Sequence, residues 1–252
     1  MRARANVAGP IEADSDPGAR SHTRGHVETT PTIRFRGAAF VPLHSGALFW
    51  PATGTLLVAD LHLEKLSSFA RSGQLLPPYD TGLTLARLES DLRATGARRV
   101  VALGDSFHRD EGTVTLLPHD RARLAGVMAG IEWIWLSGNH DPSPHALGGI
   151  CRAMHTEADM IFAHVPARGT AGLVAGHLHP AARVMINGRS VRRPCFVHDE
   201  HLMILPAYGS AAGSLNILGR AFAGLLKLQS LQVTMLGRER VYPVNPARLV
   251  GG

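Results

Sequence analysis

The chain has 252 residues, 45% of them hydrophobic, and 26 Lys and Arg against 20 Asp and Glu leave a net charge of +6. That length and apolar content fit one sizeable α/β domain, and no apolar run approaches the ~18 residues a membrane span requires, so a soluble, cytoplasmic protein is expected. Two cysteines, Cys151 and Cys195, are too few for a disulfide framework and too far apart for a CxxC redox or zinc motif. Residues 1–30 lack the apolar core of a secretory signal, and Glu12, Asp14 and Asp16 argue against a mitochondrial presequence, so they read as a disordered tail before a domain at 31–252. Four arginines and four acids cancel within that tail, which assigns the whole positive balance to the domain and suits a phosphate-bearing or nucleic-acid partner.

From residue 33 the short apolar segments TIRFRG, AAFVPL and GALFWP predict strands separated by Gly or Pro turns. TLLVAD at 55–60 predicts a further strand, and Leu83, Leu85, Leu88 and Leu92 set a helical period over about 78–95. RRVVALGD at 98–105, a helix at about 118–130, EWIWLSGN at 132–139 and a short helix or loop near 143–152 continue the alternation, which implies parallel pairing. Beyond that the chain turns β-rich, with DMIFAH, GLVAGH, ARVMIN, PCFVH and HLMILP, and a tight turn at Asp199–Glu200. Residues 216–231 fit helix or strand equally, and QVTMLG and RVYPV predict closing strands. The expected fold class is α/β, a mixed-sheet β-sandwich flanked by helices in four layers.

The polar residues fall at the ends of the strands. LLVAD closes on Asp60, VVALGD on Asp105, IWLSGN on Asn139, IFAH on His164 and LVAGH on His177. Carboxyl ends of strands in α/β sheets line the crevice where ligands bind, so these five ends are expected to converge. Asp60 and His62, and again His177 and His179, stand two apart at a strand-to-loop transition, where a turning chain can aim both side chains at one centre. A lone Asp or His after a strand is usually a turn or cap residue, but five in this order are hard to reconcile with turns alone. Seven donors exceed one tetrahedral zinc site, and shared between two ions with Asp105 bridging they give each four ligands. Carboxylate, amide and imidazole without thiolate fit Mn²⁺ first, then Fe²⁺ or Zn²⁺. Two such ions ~3.5–4 Å apart suit hydroxide attack on a phosphoester.

The ordered motifs Asp60–His62, Gly104–His108, Gly138–Asp141, His164 and Gly176–His179 resemble the signature of the calcineurin-like metallophosphoesterases. The resemblance implies one metal on Asp60, His62, Asp105 and His179 and a second on Asp105, Asn139, His164 and His177. His140 would then stabilise the leaving or a non-bridging oxygen, and Asp141 would either orient His140 or hold its loop. His108, where the protein-phosphatase branch has Asp, resembles the DNA-repair nuclease branch and would assist near the metals or bond a carboxylate from behind.

RRPCFVHDEHLMILPAYGS after GHLHP resembles a bacterial subgroup described as ligase-associated DNA damage response endonucleases, although its later Gly-rich segment reads AAGSLN here. That resemblance implies DNA as substrate, with a helicase, an exonuclease and a DNA ligase as partners. Arg189, Arg192 and Arg193 would contact a DNA backbone or form a solvated turn. A small-molecule phosphodiesterase or nucleotide pyrophosphatase, and a metal-bound but inactive scaffold subunit, are the competing readings. Residues 67–78, SSFARSGQLLPP, are expected to form a loop over the metals.

Overall fold

In the computed structural model, residues 31–71, 73 and 79–251 are described; the expected tail lies outside them, as do 72 and 74–78 of the loop expected at 67–78, whose first five residues belong to a helix instead. Strands β1 (Ile33–Phe35), β2 (Ala38–Pro42), β3 (Leu48–Trp50) and β4 (Thr55–Val58) run as an antiparallel meander. Helices α1 (Lys65–Arg71) and α2 (Asp80–Thr95) carry the chain to β5 (Arg99–Ala102). After it come α3 (Gly112–Thr115), α4 (Pro118–Met128), β6 (Glu132–Leu136) and β7 (Ile150–Arg152). Strands β4 to β7 pair in parallel and complete a seven-stranded sheet in chain order. The run 143–152, expected as a short helix or loop, is a loop that ends in the edge strand β7.

The sheet's inner strands bury both faces, which is why TLLV, VVA and WIWL read as continuous apolar runs rather than alternating ones. Helix α2 ends where Gly96 adopts a left-handed conformation at φ 63° and its N–H closes on the Leu92 carbonyl at 2.9 Å. Leu83, counted into the apolar stripe, is 60% exposed; the buried arc runs instead through Thr81, Thr84, Leu85 and Leu88.

The second half supplies a nine-stranded mixed sheet. Its strands are β8 (Met154–Glu157), β9 (Met160–Ala163), β10 (Leu173–Ala175), β11 (Pro180–Ile186), β12 (Arg189–His198), β13 (Leu202–Ile204), β14 (Leu215–Asn216), β15 (Gln232–Leu236) and β16 (Val241–Val244). Strands β9, β10 and β13 are parallel neighbours, whereas β12 folds back against β11, β13 and β15. The turn expected at 199–200 joins β12 to β13, and Asp199 tightens it by accepting the N–H groups of His201 and Leu202. Arg189, Arg192 and Arg193 lie within β12 rather than on a turn, because β12 begins well before PCFVH.

Three apolar clusters define the layers. Between the sheets, Phe40, Leu57, Val101 and Ile134 meet Phe162, Val174, Phe196 and Met203. On the outer face of the first sheet, Leu85, Leu88 and Leu124 cover Val100, Trp133 and Trp135. On the outer face of the second, Ile217, Phe222 and Leu231 cover Val197, Ile204 and Val233. The segment 216–231 is therefore neither helix nor strand but an irregular cover with two short 3₁₀ turns, Arg220–Phe222 and Leu228–Ser230. No helix of the described residues is long and apolar enough to cross a membrane. Cys151 is half-buried and Cys195 buried, and both are free thiols.

Phe162 is fully buried between the sheets, with its ring 6.4 Å from that of Trp50. Truncating it removes packing that both sheets share, so Phe162→Ala is expected to cost about 3–5 kcal/mol. A urea titration reads this as a lower midpoint at unchanged slope; a cost below about 1 kcal/mol would show that the sheets do not depend on this ring.

Candidate metal centre

The carboxyl ends of five parallel strands, three from one sheet and two from the other, meet at the seam between the layers. Strand β4 delivers Asp60 and His62, β5 delivers Asp105, and β6 delivers Asn139, His140 and Asp141. From the second sheet β9 delivers His164, and β10 delivers His177 and His179. The chain turns sharply at these points. Asp60, His62, Asp105, His177 and His179 all have positive φ, between 43° and 70°, a region costly for residues with a Cβ and concentrated at functional sites.

Two motif glycines let the loops close this tightly. A Cβ on Gly138 would stand 2.2 Å from the Asp105 nitrogen, and one on Gly176 would stand 2.7 Å from Asp60 Oδ2. Any side chain there would push a donor off its position.

Around one centre, His164 Nε2 lies 3.0 Å from Asn139 Oδ1, 3.1 Å from His177 Nδ1 and 3.3 Å from Asp105 Oδ1. Around the other, His179 Nε2 lies 3.3 Å from both His62 Nε2 and Asp60 Oδ1. The remaining oxygen of Asp105, Oδ2, faces this second group at 3.9 Å from His62 Nε2. Ligands at ~2.1 Å from an ion stand ~3.0 Å apart in an octahedron and ~3.4 Å apart in a tetrahedron, so the separations are those of neighbouring corners of coordination shells. The sets Asp60, His62, His179 and Asp105, His164, His177 each bring one ligand atom per residue within 4.8 Å of one another.

The rings are held from behind. His164 Nδ1 donates to the Leu103 carbonyl at 2.8 Å and His179 Nδ1 to the Gly213 carbonyl at 3.2 Å, which leaves Nε2 of each facing inward. Asp60 accepts the His177 backbone N–H on both oxygens, tying the first sheet's loop to the second's. The carbonyls of Leu103 and Gly213 are functional groups that sequence reading missed; a backbone oxygen carries no residue-type signal.

His140 sits beside the donors with its backbone N–H on Asp105 Oδ1 at 2.9 Å and its Nε2 3.9 Å from Asp105 Oδ2. Its Nδ1 donates to the His108 carbonyl at 3.0 Å, and the two rings stack at 5.3 Å. Among the described residues Asp141 makes no hydrogen bond or ion pair with the His140 ring. Its carboxylate accepts the N–H groups of Phe107 and Gly138, bonding the GD and GNHD loops together. His108 bonds no carboxylate among the described residues, and its buried Nδ1 has no hydrogen-bond partner.

Burial lowers His62 to about 3, and repulsion from His179 adds to the effect. The His62–Asp105 approach is therefore not an ion pair but a neutral imidazole facing a carboxylate, as metal binding requires. Burial alone would raise Asp105, yet the hydrogen bonds from His164 and from the His140 backbone outweigh it and hold Asp105 at about 2. Burial alone would lower His164, yet the facing carboxylates of Asp105 and Asp60 outweigh it and raise its pKa. Burial raises Asp141 to about 6 in spite of its backbone partners.

These shifts have opposite signs. Burial lowers His62, His108, His145, His177 and His198, so as pH falls below 6.5 the unfolded chain takes up protons that the folded chain refuses, and stability is lost. Asp141, with its raised pKa, works the other way between pH 3.8 and about 6, and the raised His164 contributes stability that is full below 6.5 and lost at higher pH. Five lowered imidazoles against Asp141, His164 and Asp120, which burial also raises, make the metal-free protein less stable at pH 5 than at pH 7. A melting temperature that stays flat or rises as the pH falls over that interval would contradict the balance.

These features define a class: a mixed α/β sandwich that presents, at the seam of its two sheets, a compact cluster of acids and imidazoles able to hold metal ions. No family model matches the chain, and no curated protein matches it. The structure is similar to the crystal structure of Pseudomonas putida nuclease MPE, with a TM-score of 0.66 and 29% sequence identity over 85% of this chain and 99% of that one.

Proposed function

We propose that the chain is a two-metal phosphodiesterase of the calcineurin-like metallophosphoesterase type that cuts nucleic acid, with DNA as substrate and manganese as the working metal. The observation that carries this reading is Asp105, whose two oxygens face two separate donor groups, as a bridging carboxylate must. The likeness to a solved nuclease supports nucleic acid over a small ester. The segment RRPCFVHDEHLMILPAYGS after GHLHP supports the ligase-associated repair subgroup, with a helicase, an exonuclease and a ligase as its working partners.

When bound, a pair of divalent ions supplies Lewis-acid stabilisation and an acidified water. The chain's own residues do the rest. Asp60, His62, Asp105, Asn139, His164, His177 and His179 would hold the ions, and the rings of His164 and His179 are already turned inward by backbone carbonyls. The Nε2 of His140, aimed by the His108 carbonyl, stands on the Asp105 side of the centre, where it can hold or give a proton to the leaving oxygen. Asp141 keeps the GNHD loop in register with the GD loop.

The test is hydrolysis of bis-p-nitrophenyl phosphate and of labelled single- and double-stranded DNA by metal-stripped protein with Mn²⁺ restored. Cleavage of both ester and DNA sustains the proposal. Cleavage of the ester alone moves the protein to a small-molecule phosphodiesterase, and bound metal without any cleavage leaves an inactive scaffold.

A further inference from the structure

A trough leads away from the metal-capable cluster. Its near part, about 600 Å³, is lined by His179 together with His44, Arg87, Arg193, Ser214 and Arg238. Its far part, about 1200 Å³, runs between the β11–β12 and β15–β16 hairpins past Met185, Arg240, Tyr242 and Arg248. Arg193, Leu236, Gly237 and Arg238 line both parts, so the two adjoin along these residues, and the near part opens beside a candidate metal ligand.

The charge of this depression is one-sided. Arg87, Arg193, Arg238, Arg240 and Arg248 face it, against Asp91 and Glu239. Asp91 is buried and its carboxylate already accepts the Tyr208 hydroxyl at 2.8 Å. Among the described residues neither Arg193 nor Arg238 has an ion pair or side-chain hydrogen bond, and both are exposed. By contrast Arg192, the next residue along β12 and so on the opposite face, is spent on the Ser214 carbonyl at 2.6 Å. In the far part the exposed ring of Tyr242 lies under the guanidinium of Arg240, 5.2 Å away, a flat cationic surface of the kind on which bases stack.

We propose that this trough is a binding site for the nucleic-acid strand flanking the cleaved bond, with Arg193 and Arg238 on successive phosphates and a base on the guanidinium of Arg240 where it lies over Tyr242. The inference rests on the nucleic-acid reading and deepens it, because it gives the substrate a length and a direction. A strand seated there leaves the metal-capable cluster past His179, runs beside α2 at Arg87 and Ser90, and then follows the second sheet. The unpaired guanidinium groups of Arg193 and Arg238, in a groove that opens beside the site, favour a polyanion over an apolar or a cationic partner.

The test compares the wild-type protein with the double variant Arg193→Ala/Arg238→Ala on a labelled 20-nucleotide DNA and on bis-p-nitrophenyl phosphate, which is too short to span the trough. The expected result is a rise of about tenfold or more in KM for the oligonucleotide at similar kcat, with the ester reaction as reference. The salt dependence of oligonucleotide binding should also become shallower by about 1.4, at ~0.7 for each single-strand phosphate that the protein no longer neutralises. Arg193→Lys/Arg238→Lys should restore most of the affinity, which a merely structural defect would not. Equal reductions on ester and oligonucleotide, or an unchanged salt dependence, overturn the proposal. A wild-type protein that hydrolyses the ester but cuts no DNA overturns the nucleic-acid reading as well, so the two failures are distinct.

Discussion

Asp105→Ala is expected to abolish diester hydrolysis, with kcat down by at least about 10³-fold, and to cut manganese binding from two ions to one or none. No other described side chain divides its two oxygens between the donor groups: Oδ1 stands 3.3 Å from His164 and Oδ2 3.9 Å from His62. Asp105 also accepts the His140 backbone N–H, so the substitution frees the GNHD loop as well. Titration calorimetry with Mn²⁺ counts the ions, and a melting curve shows whether the fold survives. A variant that kept both ions and a substantial share of the wild-type rate would falsify the bridging role.

His140→Ala separates catalysis from metal binding. If Nε2 serves the leaving oxygen, kcat falls about 10²–10³-fold while the ion count stays at two. The competing outcome has a structural basis, because ligand atoms of His62, Asp105 and His140 also lie within 4.8 Å of one another. Loss of an ion in His140→Ala would make His140 a ligand and remove it from proton transfer. Restoring some rate with a leaving group of low pKa, such as p-nitrophenol, while DNA cleavage stays low would point to protonation of the leaving oxygen as the missing step.

Much of the centre was legible because its chemistry is local in the sequence. Each donor follows a buried strand within a few residues, and side chains that a sheet cannot bury for free stand out against an apolar run. Parallel pairing then carries all those ends to one edge, so the convergence of Asp60, Asp105 and Asn139 follows from the alternation of strands and helices. What the sequence did not show lies in groups without a residue signature. The backbone carbonyls that orient His164, His179 and His140 look like any others. The segment 216–231 lacked a period because its apolar residues cover a sheet from an irregular path, one here and one there. Arg189, Arg192 and Arg193 read as one cluster, yet strand alternation gives Arg192 and Arg193 opposite faces, and only Arg193 reaches the trough. Leu83 fitted the helical period, but Thr81 and Thr84 took the buried arc of α2, where Thr84 bonds the Ser210 backbone.

The candidate donors come from both sheets, and this bears on stability as well as on the proposed activity. Asp60, His62, Asp105 and Asn139 belong to the first sheet's loops, and His164, His177 and His179 to the second's. An ion gripped from both sides is a staple across the sandwich, and prying the layers apart means releasing it. Occupancy at about a thousand times the dissociation constant would then add about 4.1 kcal/mol to the resistance of the whole sandwich. Chelation should accordingly lower the melting temperature of the molecule as a single unit instead of loosening only the loops at one edge.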